Sequence, residues 1–173
     1  MGKITMGEHS YMEPIRRGNA NTIIIGKYCS IAEGVIFDSG FNHNIKSVST
    51  YPFHRLNNQI KSVVEIPKDT IVQDDVYIGE GAIIMSGCQI GFGAVIGARA
   101  VLPKNTIVGA YEVWGGVPAQ FIKCRFGPDQ IGALLRIEWW NWPEEKIMAN
   151  AHLLNGINID EFINLHSPYG KAE

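Results

Sequence analysis

Written in sixes from Val72, the chain falls into a register that few folds can accommodate: VQDDVY IGEGAI IMSGCQ IGFGAV IGARAV LPKNTI VGAYEV WGGVPA. The first column holds Val72, Ile78, Ile84, Ile90, Ile96, Leu102, Val108 and Trp114, all apolar. In a chain that is 46% hydrophobic, eight such hits in a row have a chance of roughly one in five hundred per phase, so the period belongs to the fold.

Four places on, a second column holds Val76, Ala82, Cys88, Ala94, Ala100 and Thr106, all small or modest in size. Glycine follows the large aliphatic at Gly79, Gly91, Gly97 and Gly109. That density excludes a helix, where each glycine costs about 1 kcal/mol relative to alanine. An ordinary alternating strand would show period two over longer runs. The pattern predicts a coil of very short strands with both columns facing inward and glycine in the strained turn conformations. Stacked coils bury a continuous aliphatic column and satisfy one another's backbone groups. A solenoid follows from the residues; its handedness does not.

The same register appears in IGKYCS IAEGVI, from Ile25. Val72 lies 47 positions after Ile25, an interval that six does not divide. Residues from about 38 to 69 are therefore read as an excursion from the coil, of a size that points to function. Its Tyr51, Phe53 and Leu56 predict an ordered segment packed against something. Beyond Ala119, PDQIGALLRI and PEEKIMANAHLL open on proline and acidic residues and then space their apolar side chains helically. The expected organisation is a coil with its excursion over residues 1–119 and a helical cap over 120–173. The cap is expected to close the open end of the coil, whose strand edges would otherwise be unpaired. The three tryptophans of EWWNWP read as a hydrophobic clasp for it.

Net charge is −2, so there is no electrostatic case for nucleic acid or an anionic membrane as partner. MGKITMGEHSYM lacks the apolar run of a secretory leader, and Met6 breaks the myristoylation pattern. No stretch approaches the ~18 apolar residues of a membrane span. Three scattered cysteines, Cys29, Cys88 and Cys124, read as reduced thiols of a cytoplasmic protein.

IGKYCSIA at 25–32, NH at 42–43, STYPF at 49–53, DDVYIG at 74–79, IGARAVLPKN at 96–105, GGVPAQFIKCRF at 115–126 and EWWNWPEEKI at 138–147 run in order over nearly the whole chain. With the hexad register, this set resembles the hexapeptide-repeat acyltransferases and their left-handed parallel β-helix. Within them it is similar to the xenobiotic acetyltransferases that modify chloramphenicol or streptogramins, together with related sugar O-acetyltransferases. The resemblance implies acetyl-CoA as donor, no metal, a homotrimer, an active site between subunits, and His43 as catalytic base. Tyr77 stands where the family has Trp in DVWIG, GGVPAQ replaces GGNPAK, and the loop and N-terminal arm that shape a drug site are short. A sugar hydroxyl or amino sugar is accordingly the expected acceptor, with a drug hydroxyl as the alternative. O- and N-acetylation both remain open, since histidine can serve either nucleophile.

For CoA, Gly97, Ala98 and Ala100 offer a small-residue edge to the pantetheine amides. Lys104, Lys123 and Arg125 are candidates for its phosphates, or ordinary solvated cations. Tyr11, Asn42, Tyr51 and Phe53 are candidates to line the acceptor pocket, or anchors of the loop. Ser49 or Asn42 is expected to orient His43, and His54 has no assigned role. Two other readings compete with the acyltransferase one. A γ-type carbonic anhydrase would need three ligands, commonly histidine, and residues 72–119 contain none. A non-catalytic scaffold would need neither the His43 loop nor STYPF.

Overall fold

The computed structural model describes residues 2–12, 15–18, 20–38, 40, 42–61, 64–65 and 67–167. Three sheets of short parallel strands wrap one apolar column. Tyr77 pairs with Val95 and Val95 with Val113, Ile83 with Val101, and Gln89 with Ile107. Each step is 18 residues, or three hexads, so each coil has three strands and three corners. The first corner stacks residues 73–75, 91–93 and 109–111; the second stacks 79–81, 97–99 and 115–117; the third stacks 86–88 and 103–106.

Both inward columns are in place. Ile78, Ile84, Ile96 and Leu102 are fully buried, interleaved with Ala82, Cys88, Ala94 and Ala100. Ile36 pairs with Ile83 and Ser30 with Tyr77, steps of 47 residues. That is one coil with 29 residues to spare, and the surplus is the excursion, which leaves after Asp38 at the third corner and rejoins at Thr70. A further coil precedes the recognised register: Ile4 pairs with Ile23, Tyr11 with Ser30 and Ile15 with Ile36. Its steps of 19 and 21 residues depart from the hexad count and hide it from the sequence period.

The glycines act differently from expectation. The left-handed conformation falls two residues beyond Gly79, Gly91 and Gly97, at Gly81, Gly93 and Arg99, and also at Asp75, Gly87, Asn105 and Tyr111. Gly79 and Gly91 are required instead by close approach of the next coil. A Cβ on Gly79 would lie 2.6 Å from the Ala98 nitrogen, and one on Gly91 2.7 Å from that of Ala110.

The helices do not cap the open end. That end is closed by a hairpin, in which strand Glu112–Gly116 turns back into the antiparallel strand Ala119–Cys124. Glu112 accepts hydrogen bonds from the Gly109 N–H and the Trp114 indole, fixing Trp114 against the last coil of the core. Helix α1 (Pro128–Ile137) begins behind Gly127, with proline at its first position and the Gln130 side chain accepting from the Gly127 N–H. It ends at Glu138, whose left-handed conformation turns the chain into the tryptophan cluster. Helices α2 (Glu144–Ala149), α3 (Ala151–Leu154) and α4 (Ile159–His166) follow.

This helical layer packs on the first corner. Tyr111 clusters with Leu134, Ile137 and Phe162; Phe92 stacks on Trp140 with centroids 5.0 Å apart; Tyr28 meets Trp139 at 4.9 Å. Three of the coils thus present an aromatic ring there, and the helical layer covers those rings and removes their apolar surface from water. The tryptophans act as the clasp, holding the coil's flank rather than its end. Among the described residues no helix is long and apolar enough to cross a membrane.

Candidate active site

His43 enters the excursion on a two-residue strand, Asn42–His43, paired antiparallel with Val64–Glu65. The intervening residues turn back through a short 3₁₀ turn, Phe53–Arg55. His43 is exposed, and its Nδ1 lies 2.5 Å from the Thr50 carbonyl oxygen. A carbonyl can only accept, so Nδ1 carries the proton and, in the neutral ring, Nε2 is left with the lone pair. The sequence offered Ser49 or Asn42 for this orienting role. The Ser49 hydroxyl instead accepts from the Tyr51 N–H, and the Asn42 side chain lies outside the described residues. The orienting group is a backbone carbonyl, which leaves no side-chain signature.

Tyr51 and Phe53 meet edge to face at 5.1 Å, each about half exposed, and Tyr11 is more exposed still. His54 sits in the 3₁₀ turn. The expectation that the loop packs against something is not met for Leu56 among the described residues. Ile45, Val48 and Leu56 are 85%, 110% and 71% exposed. Among the described residues, the hydrogen bonds of 42–61 stay within the excursion itself.

The six residues considered for CoA are spread over three corners. Gly97 and Ala98 lie at the second, beside Gly115 and Gly116, where the lack of bulk leaves the backbone accessible. The Gly97 N–H is already donated to the Trp114 carbonyl. Ala100 does not belong to this edge: it is fully buried, because it falls in the inward small column. Lys104 is at the third corner. Lys123 and Arg125 lie where the hairpin has returned to the first corner, with Lys123 opposite Val113. Arg125 is engaged there, donating from Nη1 to the Gly93 carbonyl at 2.6 Å, standing 3.9 Å from Asp75, and lying over the Tyr111 and Phe126 rings. It clamps the hairpin and helices to the coil.

Asp75 was not singled out by sequence. Its carboxylate is partly exposed, but it sits in a concavity where loss of hydration pushes it up to about 6; Arg125 opposes that rise and Asp74 adds to it. Burial likewise raises the Cys29 and Cys88 thiols, keeping them protonated and inert as members of the core.

No family model matches the sequence. A probable macrolide acetyltransferase of Lysinibacillus sphaericus is 39% identical over 84% of this chain and 84% of its own length. A chloramphenicol acetyltransferase of Agrobacterium fabrum is 37% identical over 81% of this chain and 69% of its own. Among solved structures, a maltose O-acetyltransferase from Clostridium difficile 630 is 27% identical and superposes with a TM-score of 0.55 over 72% of this chain and 60% of that one. The fold is the left-handed parallel β-helix, and the chain belongs to the hexapeptide-repeat acetyltransferases, in the group that includes the xenobiotic enzymes.

Proposed function

We propose that the protein transfers the acetyl group of acetyl-CoA to a hydroxyl of a small organic acceptor, with His43 as general base. The observation that carries this reading is the His43–Thr50 hydrogen bond, which holds the ring in the tautomer whose Nε2 can take a proton. Nε2 accepts the acceptor's hydroxyl proton as the oxygen attacks the thioester carbonyl and the C–O bond forms. A backbone N–H holds the oxyanion of the tetrahedral intermediate. Collapse breaks the C–S bond, and the proton passes from Nε2 to the departing CoA thiolate.

The second corner, lined by Gly97, Ala98, Gly115 and Gly116, is the proposed track for pantetheine, with Lys104 the proposed contact for a phosphate; Lys123, at the first corner, lies away from that track. The exposed apolar side chains of the excursion support a homotrimer in which each loop, carrying His43, Tyr51 and Phe53, completes a neighbour's site. The scattered, unpaired cysteines support a cytoplasmic location. For the acceptor, the 39% and 37% relatives favour a drug-like hydroxyl, whereas the maltose O-acetyltransferase and the short drug-site elements favour a sugar.

A thiol-release assay with acetyl-CoA over a panel of sugars, nucleotide-sugars, a macrolide, chloramphenicol and virginiamycin tests the reading. One acceptor class is expected to turn over, and His43→Ala is expected to lower that turnover by about 10²–10⁴ with CoA binding unchanged. Wild-type turnover in the variant would remove His43 from the mechanism.

A further inference from the structure

Between the first corner and the helices lies a cavity of about 660 Å³. That is within the range of small-molecule sites, ~300–1,000 Å³. Asp75, Tyr111, Lys123 and Arg125 line its coil side; Trp139, Leu154 and other apolar side chains line its helical side.

Three features ask for a ligand. Tyr111 is 2% exposed, and its buried hydroxyl has no hydrogen-bond partner. Buried hydroxyls are rarely left so, because loss of water is unfavourable unless another group replaces it. Arg125 uses Nη1 on the Gly93 carbonyl and stands 3.9 Å from Asp75, beyond direct hydrogen-bond reach, so part of its donor fork is uncommitted among the described residues. Two cations, Arg125 and Lys123, face one carboxylate, and the helices add no charged side chain to the lining. The polar side of the cavity therefore carries a net positive charge against an apolar wall.

We propose that this cavity binds a small amphipathic anion, a carboxylate on an apolar chain or ring. Its head pairs with Arg125 and Lys123 and satisfies the Tyr111 hydroxyl, and its body lies between coil and helices. The site is separate from the proposed CoA track: strand Glu112–Gly116 runs from one corner to the other, roughly 15 Å at ~3.3 Å per residue. An occupant bridges the coil and the helical layer, and so ties the two together.

Octanoate is the probe, followed by calorimetry and by the tryptophan fluorescence of the intact protein, with octanol and octylammonium as controls. The expected result is saturable one-to-one binding of octanoate, about tenfold tighter than octanol, no binding of octylammonium, and no displacement by CoA. Arg125→Gln is expected to weaken octanoate at least about tenfold, and Tyr111→Phe and the exposed Lys123→Gln about threefold each. Lys123→Gln removes charge without touching the clamp, so a folding defect in Arg125→Gln does not rescue the idea. Absence of saturable binding, equal affinity for octanol, displacement by CoA, or unchanged affinity in both Tyr111→Phe and Lys123→Gln overturns it.

Discussion

Gly79 and Gly81 stand two residues apart at one corner and are glycine for opposite reasons, which a pair of substitutions separates. A Cβ on Gly79 would lie 2.6 Å from the Ala98 nitrogen and 2.9 Å from its Cα, and both are backbone atoms that no rotamer change can move. The two coils are held together nearby by the hydrogen bond from the Gly79 N–H to the Ile96 carbonyl, at 2.8 Å. Overpacking of this kind costs about 1–3 kcal/mol. At Gly81 the nearest atom to an added Cβ is the Arg99 Cγ at 3.5 Å, so there is room, but φ is +65°. Alanine there carries only the left-handed penalty, about 1–2 kcal/mol. Asparagine discriminates, because it tolerates that conformation and adds bulk. Gly81→Asn is expected to recover most of what Gly81→Ala loses, whereas Gly79→Asn is expected to be no better than Gly79→Ala. Urea midpoints at constant m-value read the order, and melting should fall by roughly 2–4 °C per kcal/mol in a chain of this size. A Gly79→Ala protein as stable as wild type, or asparagine rescuing position 79, would refute the close-approach argument.

Asp75 is held near 6 against an ordinary 3.8, so the folded state binds its proton more tightly than the unfolded state does. Its contribution to stability is present below about 4 and is lost as pH rises through 6. After discounting for its partial exposure, that is about 1–2 kcal/mol. Asp75→Asn, which keeps a residue tolerant of positive φ, should flatten that part of the profile, measured as urea midpoints at pH 5 and 7.5; an unchanged slope assigns it to another group. Leu56 is 71% exposed on the excursion, and Leu56→Asp should shift the proposed trimer toward monomer in sedimentation at micromolar concentration. A variant that sediments like wild type would remove the loop from the interface.

How much was legible in the sequence depends on whether a residue's role repeats. The columns from Val72 to Val108 were readable because every coil asks the same of its interior. The coil before Ile23 was not, since its 19- and 21-residue steps break the count while preserving the packing. Glycine is visible in the sequence but its reason is not: close approach and positive φ both select it, and four of the seven left-handed corner positions from 75 to 111 are filled by Asp75, Arg99, Asn105 and Tyr111, which give no such signal. Arg125 reads the same in sequence whether it meets a phosphate or folds back on Gly93. His43 stands out in the sequence through its flanking motif; the Thr50 carbonyl bonded to its Nδ1 had no means of appearing.

A three-cornered solenoid repeats its interior and is free to vary its exterior, and here each corner carries a different burden. The first corner turns aromatic rings outward, Tyr28, Phe92 and Tyr111, and so recruits the helices. The second cannot accept a side chain at Gly79, so the coils stack closely and leave a low, open backbone edge. The third releases the excursion that carries His43. None of these assignments is imposed by the inward columns, which are alike at all three. An insertion at a corner lengthens the chain without shifting the register of the strands on either side, as the 47-residue steps at Ser30–Tyr77 and Ile36–Ile83 attest. The proposed catalytic loop can therefore change length and sequence while the proposed cofactor edge stays fixed. In such a fold the acceptor should be set by residues 38–69, and the donor by the second corner.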